Sequence, residues 1–342
     1  MKYIKHVIAL TISLGCLYFA FRGVNFREAL SILYSEHIRY LPLSIFIAMC
    51  LIVMWVRAWR WKYFYLPEHK ATVAGLTVAN LIGFMSNNIL PLRIGEMVRV
   101  VVARRKVNAP VSYTLAALFI ERVLDSLCLL ICLVFPLSFG AVFPPLLVKI
   151  ARIMIFVFAG AVIMLIILRS KPELVQKAAV PVGRWFLPAH TFEKFEHFMG
   201  TFSQGLAILR NGPAMVKIIA LSLFHWWLIV FSYSLAFRGF GIDGLPWTAP
   251  YLTMGLVGLG VALPSAPAFV GPVHWAIIFS LNEVFGVARS TATGFAIIMH
   301  LLMMVPITIV GLILMWREGL TLGQIRERAD HLEEANGNQA SA

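Results

Sequence analysis

The sequence predicts an all-α, polytopic membrane protein. Its 342 residues are 60% hydrophobic and only 13% charged, with a mean hydropathy of +0.83, which leaves too little polar surface to cover a water-soluble globule of this length. Several apolar runs also reach about 20 residues, the length that an α-helix needs to cross roughly 30 Å of hydrocarbon. In addition, the basic residues divide unequally between alternate loops, as they do in membrane proteins.

Six apolar runs are long enough to predict complete transmembrane helices. They are residues 4–21, 41–61, 113–135, 146–168, 216–237 and 291–316. The first run follows Lys2 and Lys5, as in a signal peptide, but it has no small-x-small cleavage site after it. We therefore predict that this run is retained as the first transmembrane helix.

The charge distribution predicts the orientation of the chain. Its net charge is +13, from 29 Lys and Arg against 16 Asp and Glu. With the N-terminus in the cytoplasm, about three times as many basic residues fall in cytoplasmic loops as in external loops, which satisfies the positive-inside rule. We predict a bacterial cytoplasmic-membrane protein with both termini inside, no nucleic-acid partner, and anionic lipid headgroups beside its loop cations.

Two further apolar regions, residues 71–107 and 248–286, are interrupted by Pro and Gly and are predicted to form re-entrant hairpins. The predicted breaks are at Pro91 and Gly95 in the first region and at Pro264, Pro267, Gly271 and Pro272 in the second. Such breaks are tolerated at membrane depth where protein or a wet cavity satisfies the freed backbone groups. One broken hairpin from each face indicates an inverted repeat with a substrate site between the tips. The alternative is that Pro and Gly kink two ordinary spans.

Ionisable side chains lie inside the predicted span 113–135. Glu121 and Asp125 are four residues apart and share a helix face, while Arg122 is three residues from Asp125 and can pair with it. Charged groups at this depth are costly and are usually functional. The alternative is a structural clamp between this helix and the first hairpin.

The first hairpin adds polar residues to the candidate site. Asn87 and Asn88 precede its break, and Arg93, Glu96 and Arg99 follow the break at a spacing of three. Arginines placed in this way can hold a phosphate, or they can extend to the cytoplasmic headgroups. With Glu121, Arg122 and Asp125, these residues make up the predicted substrate site.

Other features receive structural interpretations. Arg57 and Arg60 stand among tryptophans at the end of the second span and are interpreted as part of an interfacial belt. The loop 170–213 is predicted to contain an amphipathic helix, on the membrane surface or against the bundle, and residues 318–342 a polar cytoplasmic tail. Because no metal, nucleophile or nucleotide motif occurs, we expect no metal site, no cofactor and no enzymatic activity.

Three motifs, the stretch 87–99, the run 121–125 and the segment 263–272, occur in an order that resembles the flippase-like membrane domain of lysylphosphatidylglycerol synthases. The resemblance covers about residues 4–317, within a single domain 1–317. It implies a helical protein with paired re-entrant elements that moves a phospholipid between leaflets. The fused enzymes also carry an aminoacyl-transferase domain, so we expect a stand-alone member that does not itself make the lysyl lipid. Pro267-Ala268-Phe269 stands where family members often have a Pro-Gly-Gly sequence.

The sequence thus predicts a lipid translocase whose substrate headgroup enters a polar cavity between the two hairpin tips. The arginines of the predicted site would engage the headgroup, and its carboxylates would orient those arginines. Three alternatives stay open. The chain could be a membrane-embedded transferase or phosphatase that uses Glu121 or Asp125 as general base, an accessory subunit of a separate lipid synthase, or a proton- or ion-coupled solute transporter.

Overall fold

The computed structural model of the chain describes residues 2–31, 37–90, 94–136, 145–171, 173–186, 189–263, 265–321 and 323–324. Within these ranges the regular structure is entirely helical, so the predicted fold class is confirmed. The helices are α1 (Lys2–Phe21), α2 (Phe26–Ser31), α3 (Tyr40–Lys62), α4 (Val73–Ile89), α5 (Gly95–Lys106), α6 (Val111–Val134), α7 (Pro145–Ser170), α8 (Glu173–Phe186), α9 (Ala189–Leu206), α10 (Gly212–Gly239), α11 (Ala249–Ala262), α12 (Pro272–Ile278) and α13 (Arg289–Arg317).

All six predicted spans are helical, and four helices in the described ranges are long and apolar enough to cross a membrane. These four are α3, α10, α13 and the Arg152–Ser170 part of α7. At 24 residues α6 has the length, but the charges of Glu121, Arg122 and Asp125 near its centre exclude it on composition. The Leu10–Phe21 part of α1 is also an apolar helix.

Both regions predicted as hairpins are pairs of short helices. With 17 and 12 residues, α4 and α5 are each shorter than a full crossing, and they pack directly against each other. The second pair, α11 and α12, is shorter still, and α12 continues as a π-helical turn, Phe279–Val284. Gly95 and Pro272 begin the second helix of each pair, while Pro91, Arg93 and Pro264 lie outside the described residues. Re-entry from one face and the inverted repeat stay predictions.

The two hairpin tips converge on the middle of α13. At the first tip, Asn88 donates from Nδ2 to Thr308 Oγ1 at 2.9 Å. At the second tip, His300 donates from Nε2 to the carbonyl oxygen of Ala268 at 2.9 Å. The short helical turn Pro267–Phe269, which contains Ala268, also contacts α4. Thr308 and His300 are eight residues apart on α13, about 12 Å along the helix, so both helix breaks lie inside the bundle, at two levels of α13.

The apolar core has two parts, each built around one hairpin. The first part joins α4, α5 and α6 to the Lys62 end of α3 through side chains such as Trp61 and Val98. The second part joins α10 to α13 and the α11–α12 pair to the Tyr40 end of α3, where Phe46 is an example. Since α3 contacts one part with each of its ends, the two hairpins occupy opposite halves of the bundle.

Two glycines bring α4 and α5 into backbone contact. A methyl group on Gly95 would overlap the carbonyl oxygen of Gly83 and the side-chain oxygen of Asn87. A methyl group on Gly83 would overlap the side chain of Arg99, which passes over this position. The close crossing therefore fixes the direction in which Arg99 leaves α5, towards α6.

The turn of the second hairpin has an unusual backbone. Ala268 and Phe269 adopt φ values of 58° and 59°, in the left-handed region that is costly for residues with a Cβ atom. Gly271, at φ 101°, packs against the backbone of Ser13 in α1, where no side chain would fit. Glycine at positions 268 and 269 would adopt the same angles without this cost, which gives a physical reason for a Pro-Gly-Gly sequence at this break.

The loop 170–213 contains two helices, α8 and α9, rather than the single amphipathic helix predicted. Of these, α9 packs along α6, where Gly205 lies against Ala116 and the hydroxyls of Ser112 and Thr201 are hydrogen-bonded. This helix therefore covers the bundle, which is one of the two predicted placements.

Candidate functional site

A dense group of charged side chains lies between α3, α5 and α6. We define the arginine–carboxylate cluster as Arg57 and Arg60 of α3, Glu96 and Arg99 of α5, and Glu121, Arg122 and Asp125 of α6. Residues three or four apart share a helix face, which groups Arg57 with Arg60 on α3 and Glu121 with Asp125 on α6, while Arg122 lies at the edge of that face. The cluster thus joins the second predicted span, the first hairpin and the charged span.

Glu121 is the centre of the cluster and is fully buried. Its Oε1 atom is 2.6 Å from Arg57 Nη2, 3.1 Å from Arg60 Nη2 and 3.0 Å from Arg122 Nη2. Its Oε2 atom accepts a hydrogen bond from Arg99 Nη2 at 2.9 Å. One carboxylate therefore connects four guanidinium groups from three helices.

Asp125 occupies the next turn of α6 and binds three of the arginines that also contact Glu121. Its Oδ1 atom accepts from Arg60 Nη1 at 2.7 Å and from the indole of Trp226 at 3.2 Å. Its Oδ2 atom contacts Arg57 at 2.8 Å and Arg122 at 3.0 Å. The indole contact links α10 to the cluster, and the Arg122–Asp125 contact confirms the predicted pairing.

Aromatic rings support the buried guanidinium groups. Arg99 lies over Trp61 with its Cζ atom 4.4 Å from the ring centroid. Arg57 lies over Phe84 of α4 at 5.0 Å. At such distances the face of an aromatic ring attracts a cation, and the attraction strengthens when water is excluded. The rings therefore hold the arginines in place without neutralising their charge.

Access to the cluster is uneven. The side chains of Arg60 and Arg99 are completely buried, whereas that of Arg122 is 42% exposed. Glu96 lies beside this opening, 3.6 Å from Arg122 Nη1 and 3.2 Å from Arg99 Nη1. With four arginines and three carboxylates, the cluster as defined carries one surplus positive charge. Arg122 contacts all three carboxylates, and as the exposed member of the cluster it is the arginine that an anion from outside can reach.

The remaining residues of the predicted site lie at the hairpin tip or outside the described residues. Asn87 packs against Gly95, and Asn88 hydrogen-bonds to α13. Arg93 lies outside the described residues. Among the residues that are described, no group of three or more His, Cys, Asp or Glu is placed to hold a metal ion.

The interpretation of Arg57 and Arg60 as interfacial is wrong. Trp55 and Trp59 do face outward, but the two arginines point the opposite way and bind the carboxylates of α6. A signal for this was present in the sequence. Their spacing of three places them on one helix face, and two acids buried in α6 require more than one partner cation.

Comparison with known proteins is consistent with the motifs. No curated protein and no solved structure matches the chain. A family model described as the lysylphosphatidylglycerol synthase TM region matches residues 6–311, which include both hairpins and the entire arginine–carboxylate cluster. Since this match covers most of the sequence, the chain belongs to the family of the lysylphosphatidylglycerol synthase transmembrane region.

Proposed function

We propose that the protein is a lipid translocase that moves a phospholipid, or another lipid with an anionic headgroup, between the leaflets of a membrane. The observation that carries the proposal is the surplus positive charge of the arginine–carboxylate cluster, with Arg122 as its half-exposed member. A guanidinium group binds phosphate through charge-assisted hydrogen bonds of defined geometry. A headgroup phosphate at Arg122 would offset the surplus charge.

The depth of the cluster supports this proposal. Glu121 lies ten residues after Val111, the first residue of α6, which corresponds to roughly 15 Å along the helix. A headgroup held there would already have left the membrane surface, while its acyl chains could stay in the bilayer against exposed apolar side chains. Both hairpin tips also contact α13 within the bundle, the first at Thr308 and the second at His300.

The orientation follows from the basic residues at the helix ends. Those at the Arg317 end of α13 include Lys62, Arg104, Arg105, Lys106, Arg169, Arg210 and Lys217. The opposite end has fewer, among them Arg22, Arg27, Arg39, Arg238 and Arg289. By the positive-inside rule, the Arg317 end and both chain termini are cytoplasmic, in a bacterial inner membrane. The cluster would then lie in the cytoplasmic half of the bilayer.

The occupied oxygens of the carboxylates favour transport over catalysis by the cluster. Both oxygens of Glu121 and both of Asp125 already accept contacts from arginines. A general base needs an oxygen within hydrogen-bond distance of the proton that it removes. Because these oxygens position the arginines, we propose that the protein binds and moves its lipid without chemical change.

Leaflet exchange in proteoliposomes tests the proposal. The purified chain is reconstituted with fluorescent phosphatidylglycerol, and a membrane-impermeant quencher reports the fraction of lipid in the outer leaflet over time. We expect exchange well above the rate of empty liposomes. Arg122→Ala should slow exchange about tenfold or more, because a hydrogen bond to a charged group contributes about 1.5–3 kcal/mol. Arg122→Lys should retain part of the rate, since it keeps the charge without the planar fork.

The matched control is Arg105→Ala, which removes an exposed arginine from α5 outside the cluster. It should exchange lipid at the wild-type rate. If the wild-type protein exchanges lipid between leaflets no faster than empty liposomes do, the proposed function is refuted. Equal rates for Arg122→Ala and the wild type would leave translocation in place but remove the cluster from its path.

A further inference from the structure

A charged cavity lies at the other end of the molecule from the arginine–carboxylate cluster, between α1, α12 and α13. Its volume is about 610 Å³. We define the Arg22 pocket by six of its lining residues, Phe19, Arg22, Trp275, Phe279, Glu283 and Arg289. Neither the motifs of the sequence nor the proposed site at the arginine–carboxylate cluster involves this cavity.

The pocket combines an aromatic wall with a cationic edge. Trp275 and Phe279 stack with their ring centroids 5.1 Å apart. Arg289 donates from Nη2 to the carbonyl oxygen of Phe19 at 2.9 Å, while its Nη1 atom is 3.7 Å from Glu283, too far for a hydrogen bond. Arg22 is exposed and contacts the pocket from the end of α1. Two guanidinium groups against one carboxylate leave the pocket, like the cluster, with a surplus positive charge.

A π-helical turn forms part of the wall. Residues Phe279–Val284 adopt this form, and the N–H group of Phe285 donates to the carbonyl oxygen of Ser280, five residues back, at 3.2 Å. The turn contributes both Phe279 and Glu283 to the pocket. Single π-turns are rare and occur frequently at functional sites, so the local backbone adds a second observation to the charge and the cavity.

The distance between the pocket and the cluster can be estimated along α13, which contacts both regions. Arg289, in the pocket, is the first residue of α13. Gly311, further along α13, packs against Leu81 and Met85 of α4, on either side of the position where Arg99 crosses. At about 1.5 Å per residue these two levels are separated by roughly 33 Å. Since the cluster lies inside hydrocarbon that is about 30 Å thick, a separation of this size places the pocket at the headgroup level of the opposite leaflet.

We propose that the Arg22 pocket binds the phosphate of a phospholipid in the leaflet opposite the arginine–carboxylate cluster. Arg22 and Arg289 bind the phosphate, and the first methylene groups of the acyl chains lie against Trp275 and Phe279. The role of the pocket as the second end of a lipid path rests on the proposed translocation. The binding itself does not, and it can be measured without transport.

Native mass spectrometry of the full chain in detergent tests this binding. The probe is dioctanoyl phosphatidylglycerol, titrated against wild type, Arg22→Glu, Trp275→Ala and Arg122→Ala. We expect two bound lipids per wild-type chain and one for Arg22→Glu or Arg122→Ala. The affinity of the pocket for lipid should fall about tenfold or more in Arg22→Glu, because an attractive contact with the phosphate is replaced by a repulsive one. Arg22→Lys, which keeps the positive charge, should retain most of the wild-type affinity. Trp275→Ala should weaken binding less.

Arg27→Glu is the matched control, because Arg27 is an exposed arginine near the same end that does not line the pocket. It should bind two lipids. Two equal-affinity lipids on Arg22→Glu would overturn the proposal, and so would equal binding of dioctanoylglycerol, which has no phosphate. Full competition by glycerol phosphate would show a site for a soluble phosphate ester and overturn the lipid assignment. Loss of one lipid in Arg22→Glu with no leaflet exchange by the wild type would support the pocket while refuting translocation.

Discussion

The two broken hairpins place helix ends inside the bundle, but they stabilise those ends with different chemistry. At the first hairpin, α5 carries Arg99 into a group of charged side chains centred on Glu121. At the second hairpin, neutral groups form the hydrogen bonds. The hydroxyl of Ser13 accepts from the N–H group of Ala266 at 2.7 Å, and His300 donates to the carbonyl oxygen of Ala268. Buried helix ends need such partners where water is absent. The difference indicates that the first hairpin contributes the charged side chains of the site, whereas the second contributes a turn of defined backbone conformation.

Neutralising the centre of the first hairpin's network should have the largest effect. Glu121→Gln keeps the shape of the side chain but leaves four arginines with two carboxylates. We expect a loss of about 3–5 kcal/mol of stability, the usual cost of leaving a buried charge without its partner. The measurement is thermal unfolding in detergent, followed by helical circular dichroism.

Asp243→Asn provides the control for this change. Asp243 accepts from Arg39 at 2.7 Å, but both side chains are more than half exposed, and such surface pairs contribute about 1 kcal/mol or less. A midpoint for Glu121→Gln no lower than that of Asp243→Asn would contradict the central role given to Glu121. It would also weaken the contrast between the two hairpins.

Close packing of the first hairpin should produce the next largest effect. In Gly95→Ala the added methyl group meets the carbonyl oxygen of Gly83, which is backbone and cannot rotate away. We expect a loss of about 1–3 kcal/mol from overpacking, together with slower leaflet exchange because Arg99 is displaced. Thermal unfolding and the liposome assay measure the two effects.

Gly160→Ala is the matched substitution in α7, where nothing lies within 4 Å of the added atom. Alanine has the higher helix propensity by about 1 kcal/mol, so this variant should be as stable as the wild type or more so. If both variants unfold at the same temperature, the α4–α5 crossing is looser than the structure indicates.

The sequence predicted the elements of the fold more completely than the partners of its charges. Apolar runs of the right length located all six long helices, and Gly and Pro located both breaks, because these signals depend on neighbouring residues. The pairing of Arg122 with Asp125 was predictable for the same reason. The spacing of Arg57 and Arg60 places them on one face of α3, but the sequence does not show which helix that face contacts. That depends on how α3 packs against α6, and no local pattern encodes a contact between residues more than 60 positions apart.

The smallest effect is expected at the turn of the second hairpin. Ala268→Gly relieves a left-handed backbone conformation, which costs about 1–2 kcal/mol. It also increases the freedom of the unfolded chain, which costs about 0.4–1 kcal/mol, so the net gain in stability should lie between about 0 and 1.6 kcal/mol. Ala266→Gly, two residues earlier at φ −58°, has no such strain to relieve and should be destabilising by the unfolded-state term alone. A lower midpoint for Ala268→Gly than for Ala266→Gly would show that the turn does not hold residue 268 in the left-handed region. The side-chain contacts of the second hairpin, such as that of His300 with Ala268, would then hold its shape.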